Sequence, residues 1–437
     1  MVVGVAAVVG SGSAVAADSF YSYTGSRPLA QFEPGAVLKQ RTVPFHLSGI
    51  PVPLQATQIV YRSTDALGKP VANVTSYLKP PNGKPRGVIS YQSAYDSLNP
   101  ADGPSRAVAG DFQILNLTPK GRNIAIGNTL PNGENQALLT ALALGYAANI
   151  PDTEGQNADF AAGPEYGMLT LDSLRAISTV PTTQVSDTMK IGLLGYSGGA
   201  IASNWAAILA PGYAPEINKR LLGVAQGGVL VNPARVLSYA SGSVGWGGVV
   251  GMAIVGIARG YGVDFGPYIS SYGRQVIRQL SDASIGNAFY PGLTWQKLVK
   301  PEYANPNSVP ELVDVANKIN MGTAPVPTVP MLIVQGANGV LEGTRPGPPG
   351  VGRGDGVMVA GDVRALAQRY CDAGLRIQYR QYDLLSHIPA AVAWLPESIL
   401  WLLDRFADRP APSSCGHIAA GNPRGLSPQT HVAPAGR

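Results

Sequence analysis

Residues 190–209 read KIGLLGYSGGAIASNWAAIL, a strand-like segment and a helix-like segment joined by a glycine-rich link. The apolar run Lys190–Leu194 predicts a short strand, and Ala200–Leu209 has the pattern of a helix that Pro211-Gly212 closes. Further strands are expected at Val60–Ser63, Val71–Leu78, Gly87–Gln92, Val329–Gln335 and Arg376–Tyr382, and further helices at Asn135–Tyr146, Thr170–Ser178, Asp362–Ala373, Ala390–Trp394 and Glu397–Phe406. Strands that alternate with helices predict an α/β fold, with a mostly parallel sheet and helices on both faces.

The link between that strand and that helix has the pattern Gly-x-Ser-x-Gly at Gly195–Gly199. The pattern alone is weak in a chain with 53 glycines. Its position after a strand and before a helix is that of a nucleophile elbow, a sharp turn that exposes a serine at the edge of the sheet. Small residues at Gly195 and Gly199 let neighbouring segments pass this turn. We therefore expect Ser197 to be a nucleophile; a glycine-rich connection without chemistry is the alternative.

The alternation of strands and helices stops after about Gly212, and a stretch without charge, Val236–Ala258, follows. We expect a helical cap inserted into the α/β domain, with this division of the chain: a leader at 1–17, N-terminal core at 18–212, cap at 213–327, C-terminal core at 328–410 and a Pro/Gly-rich tail at 411–437. The apolar centre of the uncharged stretch, Val244–Ala258, has 15 residues, fewer than the roughly 20 that span a bilayer. A buried or lid helix is favoured over a transmembrane span.

Composition excludes several classes of protein. Only 14% of the 437 residues are charged and 45% are hydrophobic, so the chain can bury a large core and is not intrinsically disordered. The net charge of +5 is small and the basic residues are not clustered with aromatic ones, so we expect no nucleic-acid partner. Two cysteines and four histidines without ligand spacing predict no metal site.

The first residues and the cysteines predict export. Residues 2–17 are apolar and contain Ala14-Val15-Ala16, the small-x-small form of a secretory cleavage site. The first basic residue is Arg27, so the numbered start is expected to lie inside a longer signal. In an oxidising compartment Cys371 and Cys415 are expected to form a disulfide that tethers the tail, rather than two buried thiols. The protein is therefore expected to be secreted.

A serine hydroxyl is a poor nucleophile without a base in hydrogen-bond reach. In α/β enzymes with such an elbow, the order along the chain is serine, then acid, then histidine. His387 fits this order because it follows the strand Arg376–Tyr382 and precedes the last helices. His46 precedes the nucleophile, and His417 and His431 lie in the tail with no strand before them. His387 is the predicted base.

The acid and the oxyanion donors are less constrained by the sequence. The loop after Val329–Gln335 offers Glu342, Asp355 and Asp362. Asp362 suits the cap or first turn of the next helix, so Asp355 is preferred and Glu342 is the alternative.

An oxyanion needs fixed donors. The N–H of Gly198 is one. The other donor is expected in the loop Ser93–Ser97, but the residue types there do not identify which residue donates.

Further segments between about residues 35 and 410 form a wider pattern. They are Ser90-Tyr91-Gln92, Tyr95-Asp96-Ser97, Gly103-Pro104-Ser105, Ile150–Gly155, Leu171–Ala176, Gly195–Gly199, Asp355–Val363 and Ser386-His387. Together they resemble the secretory lipase family of the lipase A type. The resemblance implies an α/β-hydrolase fold with a helical cap between nucleophile and acid, and the hydrolysis of lipid and shorter-chain carboxylic esters.

Carried over by motif, the resemblance implies a catalytic triad of Ser197, Asp355 and His387 and an oxyanion hole at Asp96 and Gly198. To stabilise negative charge, Asp96 would have to be protonated or donate through its backbone N–H. The sequence departs from the family at Gly103, where many members have a cysteine. Because the loop Gly336–Gly354 is long, the position of the family's acid cannot be aligned uniquely with this sequence. Glu342 therefore stays the alternative to Asp355.

The prediction is a secreted serine hydrolase of carboxylic esters, a triacylglycerol lipase or esterase that works through an acyl-enzyme without a cofactor. Its expected partner is a lipid or other ester substrate, at a lipid–water interface. Val250 and Ile254 are expected to bind this substrate, by sheltering an acyl chain or contacting a lipid surface; ordinary packing is the alternative. The rival functions are a serine peptidase or acyltransferase on the same fold, and a non-catalytic secreted binding protein.

Overall fold

The computed structural model describes residues 18–81, 83–111, 119–120, 123–124, 134 and 138–435. The predicted leader, residues 1–17, lies outside the described residues. The predicted helix Asn135–Tyr146 is described only from residue 138 onward.

A nine-stranded sheet forms the centre of the molecule. The strands of the chain are β1 (Val37–Leu47), β2 (Ile50–Thr64), β3 (Pro70–Leu78), β4 (Val88–Gln92), β5 (Pro119–Lys120), β6 (Asn123–Ile124), β7 (Ala147–Pro151), β8 (Ile191–Tyr196), β9 (Leu221–Gly227), β10 (Met331–Gly336) and β11 (Ile377–Tyr382). The order across the sheet is β1-β2-β3-β7-β4-β8-β9-β10-β11, and β5 pairs only with β6. The strands from β7 to β11 in this order are parallel, and β1, β2 and β3 are antiparallel to their neighbours. The predicted fold class is confirmed.

Twelve helices are described along the chain. They are α1 (Pro104–Ala109), α2 (residues 138–143), α3 (Gly163–Thr179), α4 (Gly198–Tyr213), α5 (Pro215–Asn218), α6 (Pro233–Ala240), α7 (Gly247–Tyr261), α8 (Ser271–Leu280), α9 (Trp295–Leu298), α10 (Pro310–Lys318), α11 (Ala360–Asp372) and α12 (His387–Phe406). Short 3-10 turns lie at Ser19–Tyr21, Leu29–Gln31, Pro100–Asp102, Pro181–Thr183, Ile285–Asn287, Pro301–Tyr303, Pro306–Ser308 and Gly339–Glu342. None of these described helices combines the length and hydropathy needed to cross a membrane.

Helices cover both faces of the sheet and bury two large apolar clusters. Helices α3, α4 and α11 contribute to one cluster, and α2 and α12 contribute to the other. Strand β8 serves both, because Ile191 and Leu193 belong to the first cluster and Leu194 and Tyr196 to the second. A strand buried on both faces is almost wholly apolar, which explains why this segment could be recognised in the sequence.

The sheet contains three strands that the sequence analysis did not predict: β1, β7 and β9. Strand β9 corrects the expected cap, because Leu221–Gly227 lies inside the range 213–327 but pairs with β8 and β10 in the main sheet. Its sequence, LLGVAQG, contains the polar Gln226 in addition to Gly223, which weakens the apolar signal. The helices inserted between β9 and β10 therefore begin with α6.

Two helices continue through prolines that were expected to end or separate them. Helix α4 runs to Tyr213 with Pro211 in its last turn. The segments predicted at Ala390–Trp394 and Glu397–Phe406 form one helix, α12, with Pro396 inside it. Proline removes one backbone hydrogen bond of a helix, and both helices nevertheless continue through it, with other apolar residues packed in the two clusters.

The predicted disulfide between Cys371 and Cys415 is confirmed, and it joins α11 to the tail. Beside it, the N–H of Ser414 donates to the carbonyl oxygen of Ile377 over 2.7 Å, and the N–H of Tyr379 donates to Ser414 Oγ over 3.1 Å. The tail therefore satisfies backbone groups of β11, the last strand of the sheet. An edge strand left uncovered can pair with other chains.

Candidate active site

The elbow between β8 and α4 has the sharp turn that its sequence predicts. Ser197 has φ 53° and ψ −119°, a conformation that costs a non-glycine residue about 1–3 kcal/mol. Its N–H donates to the carbonyl oxygen of Gly227 over 2.9 Å. A Cβ atom at Gly195 would lie 2.2 Å from the carbonyl oxygen of Gly199, and one at Gly199 would lie 2.0 Å from that of Gln92. Both flanking glycines are therefore sterically required.

Three side chains from distant parts of the sequence form one chain of hydrogen bonds. The distance from Ser197 Oγ to His387 Nε2 is 2.8 Å, and the distance from His387 Nδ1 to Asp355 Oδ2 is also 2.8 Å. An ionised carboxylate only accepts hydrogen bonds, so the imidazole proton belongs on Nδ1 and Nε2 can accept from the serine hydroxyl. The three residues are exposed by 7%, 3% and 0%.

Asp355 follows β10 in a loop that surrounds its carboxylate with donors. Asp355 Oδ1 accepts from the N–H groups of Val357 and Met358 over 3.0 and 2.7 Å. Asp355 Oδ2 accepts from Gln335 Nε2 over 2.8 Å, in addition to His387. Both oxygens of this buried carboxylate therefore act as acceptors with fixed partners.

His387 is the first residue of α12 and is fixed on several sides. Its N–H donates to the carbonyl oxygen of Asp355 over 2.8 Å, and its own carbonyl oxygen accepts from the Tyr196 hydroxyl over 2.7 Å. The imidazole packs against Tyr196 and Trp246, with ring centroids 5.0 and 5.2 Å away. Burial lowers the pKa of His387. The negative charges of Asp355 and Glu342 outweigh this effect and hold the pKa above its ordinary value.

Glu342, the alternative acid, has other partners. Its Oε2 accepts from Trp246 Nε1 over 2.7 Å, and its Oε1 accepts from the N–H of Ile388 over 2.9 Å. Glu342 therefore connects the aromatic ring beside the imidazole to the first turn of α12. The hydrogen bond from His387 Nδ1 goes to Asp355 instead.

Asp362, the third acid of this part of the chain, has the structural position that its sequence indicated. It lies in the first turn of α11, and its Oδ2 is 2.7 Å from Arg235 Nε. Its Oδ1 accepts from Asn422 Nδ2 over 2.7 Å. Asp362 thus connects α6, α11 and the tail.

Asp96 lies next to the nucleophile, on the side of Gly198. It is exposed by only 4%, and no described residue forms a hydrogen bond with its Oδ1. A Cβ atom at Gly198 would lie 1.8 Å from this oxygen, so only glycine lets the carboxyl group approach. Gly198 is the first residue of α4, and its N–H has no acceptor within the helix. Asp96 and Ser197 both line the adjacent cavity.

The charge state of Asp96 is set by its burial. Burial raises the pKa of Asp96 to about 8, against the opposing effect of the positive charge of His387. The nearby carboxylate of Glu134 adds to the increase. At neutral pH the Asp96 carboxyl is therefore mostly protonated and can donate a hydrogen bond.

A second buried acid supports the loop that contains Asp96. Glu154 Oε2 accepts from the N–H of Ser97 over 3.0 Å, and Glu154 Oε1 accepts from the Tyr166 hydroxyl over 3.1 Å. The N–H of Glu154 donates to the Tyr95 hydroxyl over 2.8 Å. Sequence reasoning did not assign this residue a role, because nothing in its spacing indicates that it lies beside the loop. Asp96 itself has φ 37°, so the loop holds it in the left-handed region.

An apolar cavity of about 1010 Å³, including its open mouth, adjoins Ser197. Val250 and Ile254 of α7 line it, as do Val357 and Met358. A large pocket with few polar groups suits a long apolar ligand. In the ranges that the structure describes, no group of three or more His, Cys, Asp or Glu side chains is arranged to hold a metal ion.

Comparisons with known proteins relate the chain to lipases. A model of the family described as secretory lipase matches residues 128–414. Lipase A of Arthroderma benhamiae is 33% identical over 398 residues, which cover 85% of this chain and 76% of that protein. A protein of Mycobacterium tuberculosis named as a probable inactive lipase is 29% identical over 386 residues, covering 86% of this chain and 79% of that one.

Solved structures extend the comparison to the fold. The crystal structure of Candida antarctica lipase A in its closed state matches with a TM-score of 0.74. The match covers 94% of this chain and 92% of that chain, with 23% sequence identity. At this identity the likeness shows the α/β-hydrolase fold alone.

Proposed function

Because the chain belongs to the secretory lipase family and is a carboxylic-ester hydrolase of lipase type, we propose that its reaction proceeds through Ser197, His387 and Asp355. The observation that carries this proposal is the buried chain of hydrogen bonds, with 2.8 Å from the serine to the imidazole and 2.8 Å from the imidazole to the carboxylate. This geometry suits proton transfer from the hydroxyl to Nε2.

In the first half of the reaction, Ser197 Oγ attacks the ester carbonyl while His387 Nε2 takes its proton. Asp355 holds the imidazole in the required tautomer and stabilises its positive charge. The tetrahedral intermediate then breaks its bond to the alcohol, which leaves with the proton from Nε2. In the second half, water attacks the acyl-enzyme with the same base, and the acid is released from Ser197.

Two donors are proposed for the oxyanion of the intermediate. One is the N–H of Gly198, and the other is the protonated carboxyl group of Asp96. The support for Asp96 is its position against Gly198 and its raised pKa of about 8. A donor that is fixed before the reaction lowers the barrier because it need not reorganise as charge develops.

The acyl chain of the substrate is proposed to lie in the apolar cavity, against Val250 and Ile254 of α7. Both side chains are buried, and both line the cavity that Ser197 also lines. The proposed substrates are therefore esters with an extended hydrocarbon part, delivered from a lipid–water interface. Export of the protein is also proposed. Three observations support it: the family, the apolar leader and the disulfide between Cys371 and Cys415.

The test is hydrolysis of p-nitrophenyl esters from acetate to palmitate, together with a peptide p-nitroanilide. Ser197→Ala should lower kcat/KM for the esters by at least about 10³-fold. Ser203→Ala is the matched control, because Ser203 lies in α4, the helix that directly follows Ser197, and its hydroxyl donates to Gln92 Oε1 over 2.8 Å. This control should retain activity within a few fold.

The outcomes separate the rival functions. Ester hydrolysis that survives Ser197→Ala would contradict the proposed nucleophile. A faster reaction with the anilide than with any ester would indicate a peptidase, and ester cleavage only with an added alcohol acceptor would indicate an acyltransferase. A folded wild-type chain without turnover would indicate a binding protein.

A further inference from the structure

One outer surface of the molecule is apolar where a surface helix is normally polar. On α12, the outward-facing residues are Ile388, Pro389, Val392, Pro396 and Leu400, and all five are exposed. Three of them expose 60%, 73% and 64% of their surface, in the order isoleucine, valine and leucine. The outer face of a helix in a globular protein ordinarily carries charged and polar residues. Over three turns of α12, this outer face has no charged or polar residue.

Two neighbouring segments, the 3-10 turn Gly339–Glu342 and the loop between β11 and α12, extend the same surface. Val340, Leu341 and Leu384 are more than half exposed. Ile388 N–H donates to Glu342 Oε1 over 2.9 Å, and Asn338 Nδ2 donates to the carbonyl oxygen of Leu384 over 3.3 Å. The first bond joins the 3-10 turn to the first turn of α12, and the second joins the residue before that 3-10 turn to the loop that precedes α12. We call the combined surface the apolar face; its residues are Val340, Leu341, Leu384, Ile388, Pro389, Val392, Pro396 and Leu400.

One end of the apolar face lies beside the candidate active site. Ile388 directly follows His387 in the sequence, and Glu342 contacts both Ile388 and Trp246, which lines the cavity. From Ile388 to Leu400 the face extends along the helix for about 18 Å. The charged groups at its borders are Asp383, beside Leu384, and Glu397, which pairs with Arg380.

We propose that the apolar face docks on the surface of a neutral lipid phase, such as a triacylglycerol emulsion, and so brings the ester bond to Ser197. The proposal rests on the proposed function, because it assumes a lipid ester as substrate. Continuity of the face with the active site favours a lipid surface over another occupant. The face also has no Trp, Tyr or Arg, the residues that dominate binding between proteins.

The position of α7 strengthens this assignment. The sequence left open whether Val250 and Ile254 shelter an acyl chain or contact a lipid surface. Both are buried, exposed by 7% and 4%, and they face the cavity. These two side chains therefore line the cavity and not the outer surface, whereas the apolar face is exposed and available for contact with lipid.

Binding without turnover gives the direct test, with Ser197→Ala as the background. The probe is a triolein emulsion stabilised with phosphatidylcholine, and the measurement is the fraction of protein that floats with it. Val392→Asp combined with Leu400→Asp should lower the partition coefficient at least about tenfold, because two aliphatic side chains are replaced by charge. Ile50→Asp is the matched control: Ile50 is 68% exposed but begins β2, near the opposite edge of the sheet. Its partition should not change.

The same substitutions in the active chain separate docking from chemistry. For soluble p-nitrophenyl acetate, kcat/KM should stay within twofold, while hydrolysis of emulsified triolein falls in parallel with binding. Unchanged partition of the double variant, or an equal loss with Ile50→Asp, would overturn the proposal. So would a wild-type dimer, seen by sedimentation equilibrium, that the double substitution dissociates without changing partition. Failure of the proposed function would be distinct, because wild type would then leave the soluble ester intact.

Discussion

The base side and the oxyanion side of Ser197 each contain a buried aspartate, and the two have opposite surroundings. Four donors surround Asp355, namely His387, two backbone N–H groups and Gln335. No described residue donates to Asp96 Oδ1, and burial raises the pKa of Asp96 to about 8. The supply of donors, rather than the residue type, therefore decides whether a buried carboxyl accepts hydrogen bonds or can donate one.

The largest expected effect comes from changing the base side. Asp355→Asn should lower kcat for a soluble p-nitrophenyl ester by about 10⁴-fold, because the amide favours the wrong imidazole tautomer. The measurement is steady-state hydrolysis at neutral pH. If Glu342 were the acid, this variant would lose much less activity.

A matched control for that variant is Asp362→Asn. Asp362 is also a buried aspartate of the loop and helix after β10, but it pairs with Arg235 and Asn422. We expect a lower melting temperature, with kcat per folded molecule within a few fold of wild type. A loss of kcat comparable to that of Asp355→Asn would break the distinction between the two acids.

The oxyanion side should give a smaller effect that depends on the replacement. Asp96→Ala removes a donor and should lower kcat/KM by about 10²–10³-fold. Asp96→Asn keeps an N–H donor at the same position and should lose less. Equal losses in the two variants would show that donation from this side chain is not what matters.

Wild type and Asp96→Asn should also differ in their pH dependence. In wild type, Asp96 donates only when protonated, so kcat/KM should fall as the pH rises past about 8. Asp96→Asn does not titrate, so this alkaline decrease should disappear while the acid limb from His387 remains. The pH profile with a soluble ester measures both limbs. An unchanged alkaline limb in Asp96→Asn would assign it to another group.

Gly198→Ala tests the oxyanion side without removing either donor. The new Cβ would lie 1.8 Å from Asp96 Oδ1 and must displace the carboxyl group. We expect a loss of up to about 10²-fold in kcat, no larger than that of Asp96→Ala. Combined with Asp96→Ala, which makes room for the methyl group, the substitution should cost little more. Additive losses would place the effect elsewhere.

The smallest expected effect comes from Glu342→Gln. The negative charge of Glu342 helps to raise the pKa of His387, and the imidazole must be neutral to act as a base. Removing this charge lowers the pKa of His387, so the acid limb of kcat/KM should move to lower pH. The rate on the plateau should fall by less than about tenfold. An acid limb that stays in place would exclude this electrostatic role.

The sequence predicted the parts of the site that depend on local pattern. Ser197 could be located because strand, glycines and helix are contiguous, and the glycine contacts at the elbow explain that pattern sterically. His387 followed from chain order and the exclusion of the other histidines. Asp355 and Glu342 could not be separated this way, because both follow the same strand and differ only in which donors the folded loop provides.

Features that depend on tertiary contact were beyond the sequence. Strand β9 was missed because Gly223 and the polar Gln226 interrupt its apolar residues, and its pairing with β8 and β10 identifies it. Glu154 accepts a hydrogen bond from the N–H of Ser97, a residue 57 positions away in the sequence. The state of Asp96 depends on burial, which no local pattern encodes.

Covalent trapping with a long-chain alkyl p-nitrophenyl phosphonate tests most directly whether Ser197 is the nucleophile. Intact-protein and peptide mass spectrometry locate the adduct. The phosphonate resembles the tetrahedral intermediate and reacts with an activated serine. We predict one adduct per chain, located on Ser197, with release of one p-nitrophenol and a rate that Asp355→Asn greatly reduces. An adduct on any other residue, or inhibition of esterase activity with Ser197 unmodified, would contradict the assignment.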